Sequence, residues 1–124
     1  MRVAPMRSVS EFSPPYTTRA VLLATFDDDL QFVEELVATF LSRCPILIEE
    51  ILTGFHAADA GAVSRAAHTL KGSLGYFETG EVYEAAHQLE RITAAELRRV
   101  PALVSVLQER LAELTRYLNA EFSS

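Results

Sequence analysis

Apolar residues recur along most of the chain at spacings of three and four, the period of an amphipathic helix. The longest pattern follows three aspartates at 27–29 and runs to about residue 56; others cover about 60–77, about 81–93 and the segment after Pro101. A shorter apolar group at 18–26 predicts a small preceding helix. The predicted inward residues of the four long helices are Val33, Leu36, Val37, Phe40, Leu47, Ile48, Ile51 and Phe55; Val63, Ala67, Leu70, Leu74 and Phe77; Val82, Ala85, Ala86, Leu89 and Ile92; and Leu103, Leu107, Leu111, Leu114 and Leu118.

No alternating strand pattern competes with these helices. Long helices joined by short connections pack as antiparallel neighbours. The sequence therefore predicts an all-α fold, an antiparallel up-down-up-down four-helix bundle with a short extra N-terminal helix. Because Pro14 and Pro15 interrupt regular structure, we expect residues 1–17 to be a tail or linker and residues 18–124 to form the bundle domain.

Composition excludes several classes of function. With 124 residues there is room for one such domain but not for a kinase ATP-binding domain beside it, and no glycine-rich phosphate-binding loop occurs. A net charge of -6 disfavours nucleic acid as a partner. No apolar run approaches the roughly 20 residues that cross a bilayer, so we expect a cytoplasmic protein without direct membrane contact. Cys44 is the single cysteine, which rules out an intrachain disulfide.

One side of the predicted 60–77 helix carries polar and small residues at helical spacing: Ser64, His68, Lys71, Gly72 and Gly75. A glycine inside a helix costs about 1 kcal/mol relative to alanine, so some function must require this face to stay bare. A lone histidine or lysine on a helix is usually an ordinary surface residue. The combination indicates phosphoryl transfer, with Lys71 offering positive charge to the phosphoryl oxygens.

Helix geometry points to a partner for the histidine. If the 60–77 helix and its successor form a hairpin that turns near Thr79, the residue level with His68 is close to Glu90. A carboxylate there can accept a hydrogen bond from Nδ1–H of His68, which leaves Nε2 as the nucleophile. We therefore predict that Glu90 orients the imidazole. The alternative is that Glu90 is simply a solvated charge.

At these residues the chain resembles the histidine-containing phosphotransfer (HPt) family of two-component phosphorelays. The family signature His-x-Leu-Lys-Gly-Ser is present at residues 68–73, and a later helix matches in register through Val82, Ala85, Ala86, Leu89 and Glu90. An earlier helix matches the family pattern Phe-Leu-x-x-x-Pro at residues 40–45. The resemblance extends from about residue 18 to the C-terminus. Glu78 departs from it, because the family usually has a turn glycine there.

The resemblance implies a phosphocarrier module without kinase activity of its own. His68 would accept a phosphoryl group from an aspartate of a response-regulator receiver domain and pass it to an aspartate of another receiver. The receiver would supply Mg²⁺, so no intrinsic cofactor is expected. The chain could stand alone as a monomer or be the C-terminal domain of a hybrid sensor histidine kinase. The alternative function is a helical bundle that docks receivers or a kinase without carrying phosphate.

The predicted docking surface surrounds the histidine. Small residues on the same stripe leave space for a receiver, and the N-terminal helix adds apolar contacts beside them. Small residues suit a weak and fast exchange rather than a permanent complex. The predicted docking residues are Ser64, Gly72, Gly75, Val21, Leu22 and Phe26.

A metal site is the remaining alternative. Glu84 and His87 have the Glu-x-x-His spacing of di-iron bundles, but such a site needs two of these motifs and further inward carboxylates, and only one motif occurs. Ala85, Ala86 and Leu89 take the inward positions, so His87 is expected to be exposed or to flank the core. The sequence therefore predicts no metal site.

Overall fold

The computed structural model describes residues 17–77 and 80–122, and within these ranges every regular element is a helix. The predicted all-α class is therefore confirmed. Residues 1–16 of the predicted tail and Glu78, at the unusual turn position, lie outside the described residues. The helices are α1 (Arg19–Thr25), α2 (Leu30–His56), α3 (Ala60–Leu74), α4 (Glu81–Glu90), a 3₁₀ helix (Ala94–Arg99) and α5 (Val100–Phe122).

The core lies between the four long helices. Helix α2 packs on α3, α3 on α4 and α4 on α5, and α5 returns to pack on α2. Most residues predicted to face inward are buried, whereas Leu36, Ile48, Phe55 and Leu103 are half-buried at its margin. The rings of Phe40 and Phe77 stack with their centroids 4.3 Å apart. The hydrophobic pattern thus located the core of the described residues.

Aspartates begin two of these helices. Asp29 Oδ1 accepts a hydrogen bond from Phe32 N–H at 3.0 Å, and Asp59 Oδ1 accepts from Ala62 N–H at the same distance. Each carboxylate satisfies a backbone donor that has no partner within its own helix. Of the three aspartates predicted to start α2, only Asp29 is the cap. Asp27 and Asp28 form the preceding turn with φ of 59°, a left-handed conformation that aspartate tolerates better than most residues.

Two helices end earlier than the apolar pattern predicts. Helix α3 ends at Leu74, so Gly75 caps it instead of lying inside it, and Phe77 is buried from the following turn. Helix α4 ends at Glu90, not near residue 93, and Ile92 enters the core from the connection. A buried side chain can come from a turn as well as from a helix, so periodicity alone misplaces these ends.

The small helix α1 is fastened to the bundle at several points. Leu22 is buried, and the Arg19 N–H donates to Tyr117 Oη at 3.0 Å. The Arg19 guanidinium donates to the Glu121 carbonyl at 3.0 Å and lies 5.4 Å from the centroid of the Phe122 ring. These contacts hold α1 against the C-terminal part of α5.

Burial affects the chemistry of the cysteine in α2. Cys44 is buried, and desolvation raises the pKa of its thiol to about 12, so the thiol stays protonated at neutral pH.

Among the described residues, none of the helices is both long enough and apolar enough to span a membrane.

A glycine permits the close approach of α2 and α3. A Cβ atom built on Gly54 would lie 3.0 Å from the Val63 backbone nitrogen and 3.1 Å from Ala62 Cβ. Neither neighbour is the end of a flexible side chain, so the two helices would have to separate slightly to admit a methyl group. Gly72, on the face of α3 that carries His68, has nothing within 4 Å of the same position.

We expect Gly54→Ala to lower the free energy of unfolding by about 1–3 kcal/mol, because overpacking outweighs the better helix propensity of alanine. Gly72→Ala is the matched control and should raise it by up to about 1 kcal/mol, since only helix propensity changes there. Urea denaturation of both variants measures the two effects. A Gly54→Ala protein as stable as wild type would contradict the close-packing argument.

Candidate functional site

The candidate site centres on Glu90, the last residue of α4. Its Oε2 lies 2.7 Å from His68 Nδ1, and its Oε1 lies 2.5 Å from Lys71 Nζ. Both partners belong to α3, one turn apart on the same face. The hairpin geometry expected from the sequence therefore places Glu90 beside His68. Its second contact, with Lys71, was not predicted.

The hydrogen bond to Glu90 selects one tautomer of the imidazole. An ionised carboxylate can only accept, so Nδ1 of His68 carries the proton and donates it. Nε2, on the other edge of the ring, then keeps its lone pair. The His68 side chain is 69% exposed, whereas that of Glu90 is only 23% exposed. The arrangement presents an oriented and exposed imidazole to a partner in solution.

Lys71 lies between two groups of α4. Besides Glu90, its ammonium lies 3.4 Å from Nδ1 of His87, to which it can donate when that nitrogen is unprotonated. The sequence predicts that His87 is exposed or flanks the core, and the residue is a partly exposed neighbour of the site. The signal for this neighbour was its position three residues before Glu90, which places both on one face of α4.

The ion pair shifts the pKa values of both its members. The hydrogen bond from Lys71, followed by that from His68, lowers the pKa of the Glu90 carboxyl. The same hydrogen bond, which the Glu90 carboxylate accepts, raises the pKa of Lys71. The stabilisation from Glu90 is therefore present above the ordinary carboxyl pKa and lost as pH falls through its lowered value. That from Lys71 is present below the ordinary lysine pKa and lost as pH rises through the raised value.

Ser64 contacts the backbone of the same glutamate. Its Oγ donates to the Glu90 carbonyl at 2.6 Å, from a half-buried position one turn before His68. Helix α3 thus reaches Glu90 with three side chains spaced by four and three residues. His68 and Lys71 contact the carboxylate of Glu90, and Ser64 donates to its main-chain carbonyl. We call Glu90, His68, Lys71 and Ser64 the Glu90 cluster.

The face beside the cluster is open. Gly72 is exposed, and a methyl group added to it would have nothing within 4 Å; Gly75 is exposed at the C-cap of α3. A Cβ on Gly75 would meet only the Gly72 carbonyl, at an ordinary contact distance of 3.6 Å. Neither glycine is therefore required by packing within the described chain.

The predicted apolar docking residues differ in their exposure. Val21 is 55% exposed, but Leu22 is 1% exposed, and the prediction that Leu22 lines a docking surface is wrong. On a seven-residue helix packed against a core, neighbouring residues point in different directions, and Leu22 takes the inward one. Phe26 is half-buried, with its ring centroid 5.7 Å from that of Tyr76.

Two aromatic residues of this region were not predicted from the sequence. Phe32 and Tyr76 are 44% and 52% exposed, and both rings pack on Phe26. Tyr76 directly follows Gly75, so these rings lie at the end of the glycine-bearing face. Large apolar side chains outside the predicted inward stripe were the signal that could have found them. We call Phe26, Phe32 and Tyr76 the aromatic patch.

The described residues contain no group of three or more histidine, cysteine, aspartate or glutamate side chains placed to hold a metal ion. Glu84 is exposed, while His87 faces Lys71. The Glu-x-x-His spacing therefore does not gather further ligands within these ranges.

The model of a family described as Hpt domain matches residues 35–119, more than two thirds of the chain. The matched segment contains the whole Glu90 cluster and excludes α1. No curated protein and no solved structure matches the chain. The chain therefore belongs to the Hpt domain family, the histidine phosphotransfer modules of two-component phosphorelays.

Proposed function

We propose that His68 is the phosphoacceptor of this domain. The observation that carries the proposal is the 2.7 Å hydrogen bond from His68 Nδ1 to Glu90 on an exposed face bordered by Gly72. This bond keeps the lone pair on Nε2, and the bare face gives another protein access to it. The phosphoryl donor is an aspartyl phosphate of one receiver domain, and the acceptor is an aspartate of another.

Transfer forms a bond between Nε2 and phosphorus as the bond from phosphorus to the aspartyl oxygen breaks. The aspartate leaves as a carboxylate, and the imidazole acquires positive charge that Glu90 offsets through Nδ1–H. Reversal of the same step on a second receiver returns His68 to its starting state. Mg²⁺ bound by the receiver supplies the main electrostatic stabilisation of the phosphoryl oxygens.

Lys71 offsets the negative charge of Glu90. A carboxylate next to a phosphoryl group would repel it, but the ammonium 2.5 Å from Glu90 Oε1 neutralises that charge. The same ammonium can turn toward the phosphoryl oxygens as negative charge accumulates on them. Glu90 can then orient the imidazole without opposing the arrival of phosphate.

Docking of the receiver is assigned to the open face. Gly72 and Gly75 leave room above His68, and the aromatic patch supplies apolar area at one end.

Short connections between α2 and α3 and between α3 and α4 support the antiparallel up-down-up-down arrangement. The module carries phosphate without kinase activity and acts as a monomer, either alone or as the C-terminal domain of a hybrid sensor histidine kinase.

The first test is the site of phosphorylation. A phosphorylated receiver and Mg²⁺ should transfer label to the wild-type domain as an acid-labile, alkali-stable phosphohistidine, and His68→Gln should abolish it. His56→Gln is the control and should be labelled normally, because His56, the last residue of α2, is not part of the Glu90 cluster. Label that persists in His68→Gln would refute the assignment. Failure of the wild type to accept label from any of a panel of receivers would favour a bundle that only docks.

The second test separates folding from docking at Gly72. We expect Gly72→Gln to keep or increase stability, by up to about 1 kcal/mol, because glutamine is the better helix former. Phosphoryl acceptance should nevertheless fall steeply, since the new side chain occupies the space above His68. Thermal unfolding and the transfer rate are measured on the same sample, with Gly72→Ala as the smaller control. A wild-type rate in Gly72→Gln would remove the argument for docking on this face.

The third test concerns the ion pair. In Lys71→Met, the pKa of the Glu90 carboxyl should rise toward its ordinary value, because the strongest cause of its lowering has been removed. Carbon-13 NMR titration of the side-chain carboxyl follows this change directly. Arg91→Met is the control, since it removes a nearby charge that makes no ion pair with Glu90. An unchanged Glu90 titration in Lys71→Met would show that the two groups do not pair in solution.

A further inference from the structure

Ser64 was predicted as a docking residue, but its hydroxyl is already engaged within the domain. A serine hydroxyl has a single proton to donate, and Ser64 Oγ directs it to the Glu90 carbonyl at 2.6 Å. The residue is half-buried between α3 and α4. No donor therefore remains for a partner protein, which calls for another explanation of the serine on this face.

The Glu90 carbonyl belongs to the end of a helix. The last four carbonyls of an α-helix have no partner within it, and Glu90 is the final residue of α4. The following amide, Arg91 N–H, is shared between the carbonyls of His87 and Gln88. Ser64 supplies the Glu90 carbonyl with a donor from the neighbouring helix. The hydrogen bond from Ser64 of α3 thus fixes the last residue of α4. Without such a contact, the end of a helix is free to fray.

Ser64 and His68 form hydrogen bonds to two different parts of Glu90. They lie four residues apart on α3, and they bind the main chain and the carboxylate of Glu90 at 2.6 and 2.7 Å. If the Glu90 backbone moves, the carboxylate moves with it and the hydrogen bond to Nδ1 lengthens. Because this bond sets the tautomer of His68, the position of the backbone bears on the nucleophile.

We propose that Ser64 is a positioning residue for phosphoryl transfer, acting through Glu90 by fixing the end of α4 opposite His68. The inference rests on the proposed function of His68 and assigns Ser64 a part in the chemical step instead of in docking. It predicts a loss in the transfer rate at saturating receiver, with little change in the receiver concentration that gives half the maximal rate.

The experiment begins with Ser64→Ala, which removes the hydroxyl and substitutes a good helix former. At saturating receiver the transfer rate should fall about threefold to tenfold, the effect of losing one hydrogen bond of ordinary strength. Ser64→Thr, which retains a hydroxyl, should restore most of the rate. Thr69→Ala is the matched control, because its hydroxyl bonds only to the Arg65 carbonyl of its own helix. An unchanged rate in Ser64→Ala would overturn the proposal.

A double-mutant cycle with Glu90→Ala tests the route of the effect. If Ser64 acts through the Glu90 carboxylate, Ser64→Ala should cause no further loss of rate in the Glu90→Ala background. An equal fold-change in both backgrounds would overturn the proposal. A raised half-saturating receiver concentration with an unchanged maximal rate would do the same, because it would return Ser64 to the docking surface.

Nitrogen-15 NMR of the free domain separates this inference from the proposed function, since it needs no receiver. The ring nitrogens of His68 report the tautomer directly, and Ser64→Ala should reduce the Nδ1–H fraction while Thr69→Ala leaves it unchanged. A wild-type domain that keeps this response but never accepts phosphate would contradict the proposed function alone. A tautomer that is insensitive to Ser64→Ala would contradict the positioning role even if His68 is phosphorylated.

Discussion

The candidate site depends on how closely α3 and α4 approach each other. Buried alanines lie on both helices, Ala67 on α3 and Ala85 and Ala86 on α4, and small side chains allow two helices to pack at short distance. Only at such a distance can side chains of α3 reach the last residue of α4. The hydrogen bonds of 2.6 and 2.7 Å to Glu90 are a consequence of that packing.

The Glu90 cluster combines an ion pair, Lys71 with Glu90, and an exposed imidazole, that of His68. Lys71 and Glu90 form an ion pair whose side chains are 20% and 23% exposed, while the imidazole beside them is 69% exposed. Such partly exposed pairs add little to folding stability. In the proposed function their value lies in orientation, because the carboxylate fixes the proton on one ring nitrogen and the ammonium offsets the charge that would repel phosphate. A domain with few functional groups would then rely on the receiver for the remaining chemistry.

Two glycines of this chain illustrate different reasons for the same residue type. Gly54 is buried where α2 meets α3, and a methyl group there would crowd the Val63 backbone. Gly72 faces open space, so nothing within the described chain requires it. Packing within the fold explains Gly54, whereas Gly72 is accounted for only by the proposed docking of a partner protein. In the sequence, both glycines stand in helical patterns, where glycine is an unfavourable residue. Only the position of Gly72 on the same helix face as His68 distinguished it from Gly54.

Apolar periodicity determined the helices and most of the core, because each helix must bury one face whatever its neighbours are. The motif at residues 68–73 and the register of α4 indicated the family, and the hairpin geometry placed Glu90 level with His68. The tertiary structure decided what periodicity cannot encode: that α3 and α4 stop at Leu74 and Glu90, and that Leu22 points inward. It also decided that Ser64 and Lys71 share Glu90 with His68. These contacts join residues 19 to 26 positions apart, and their partners depend on the distance and rotation between two helices, which no local pattern specifies.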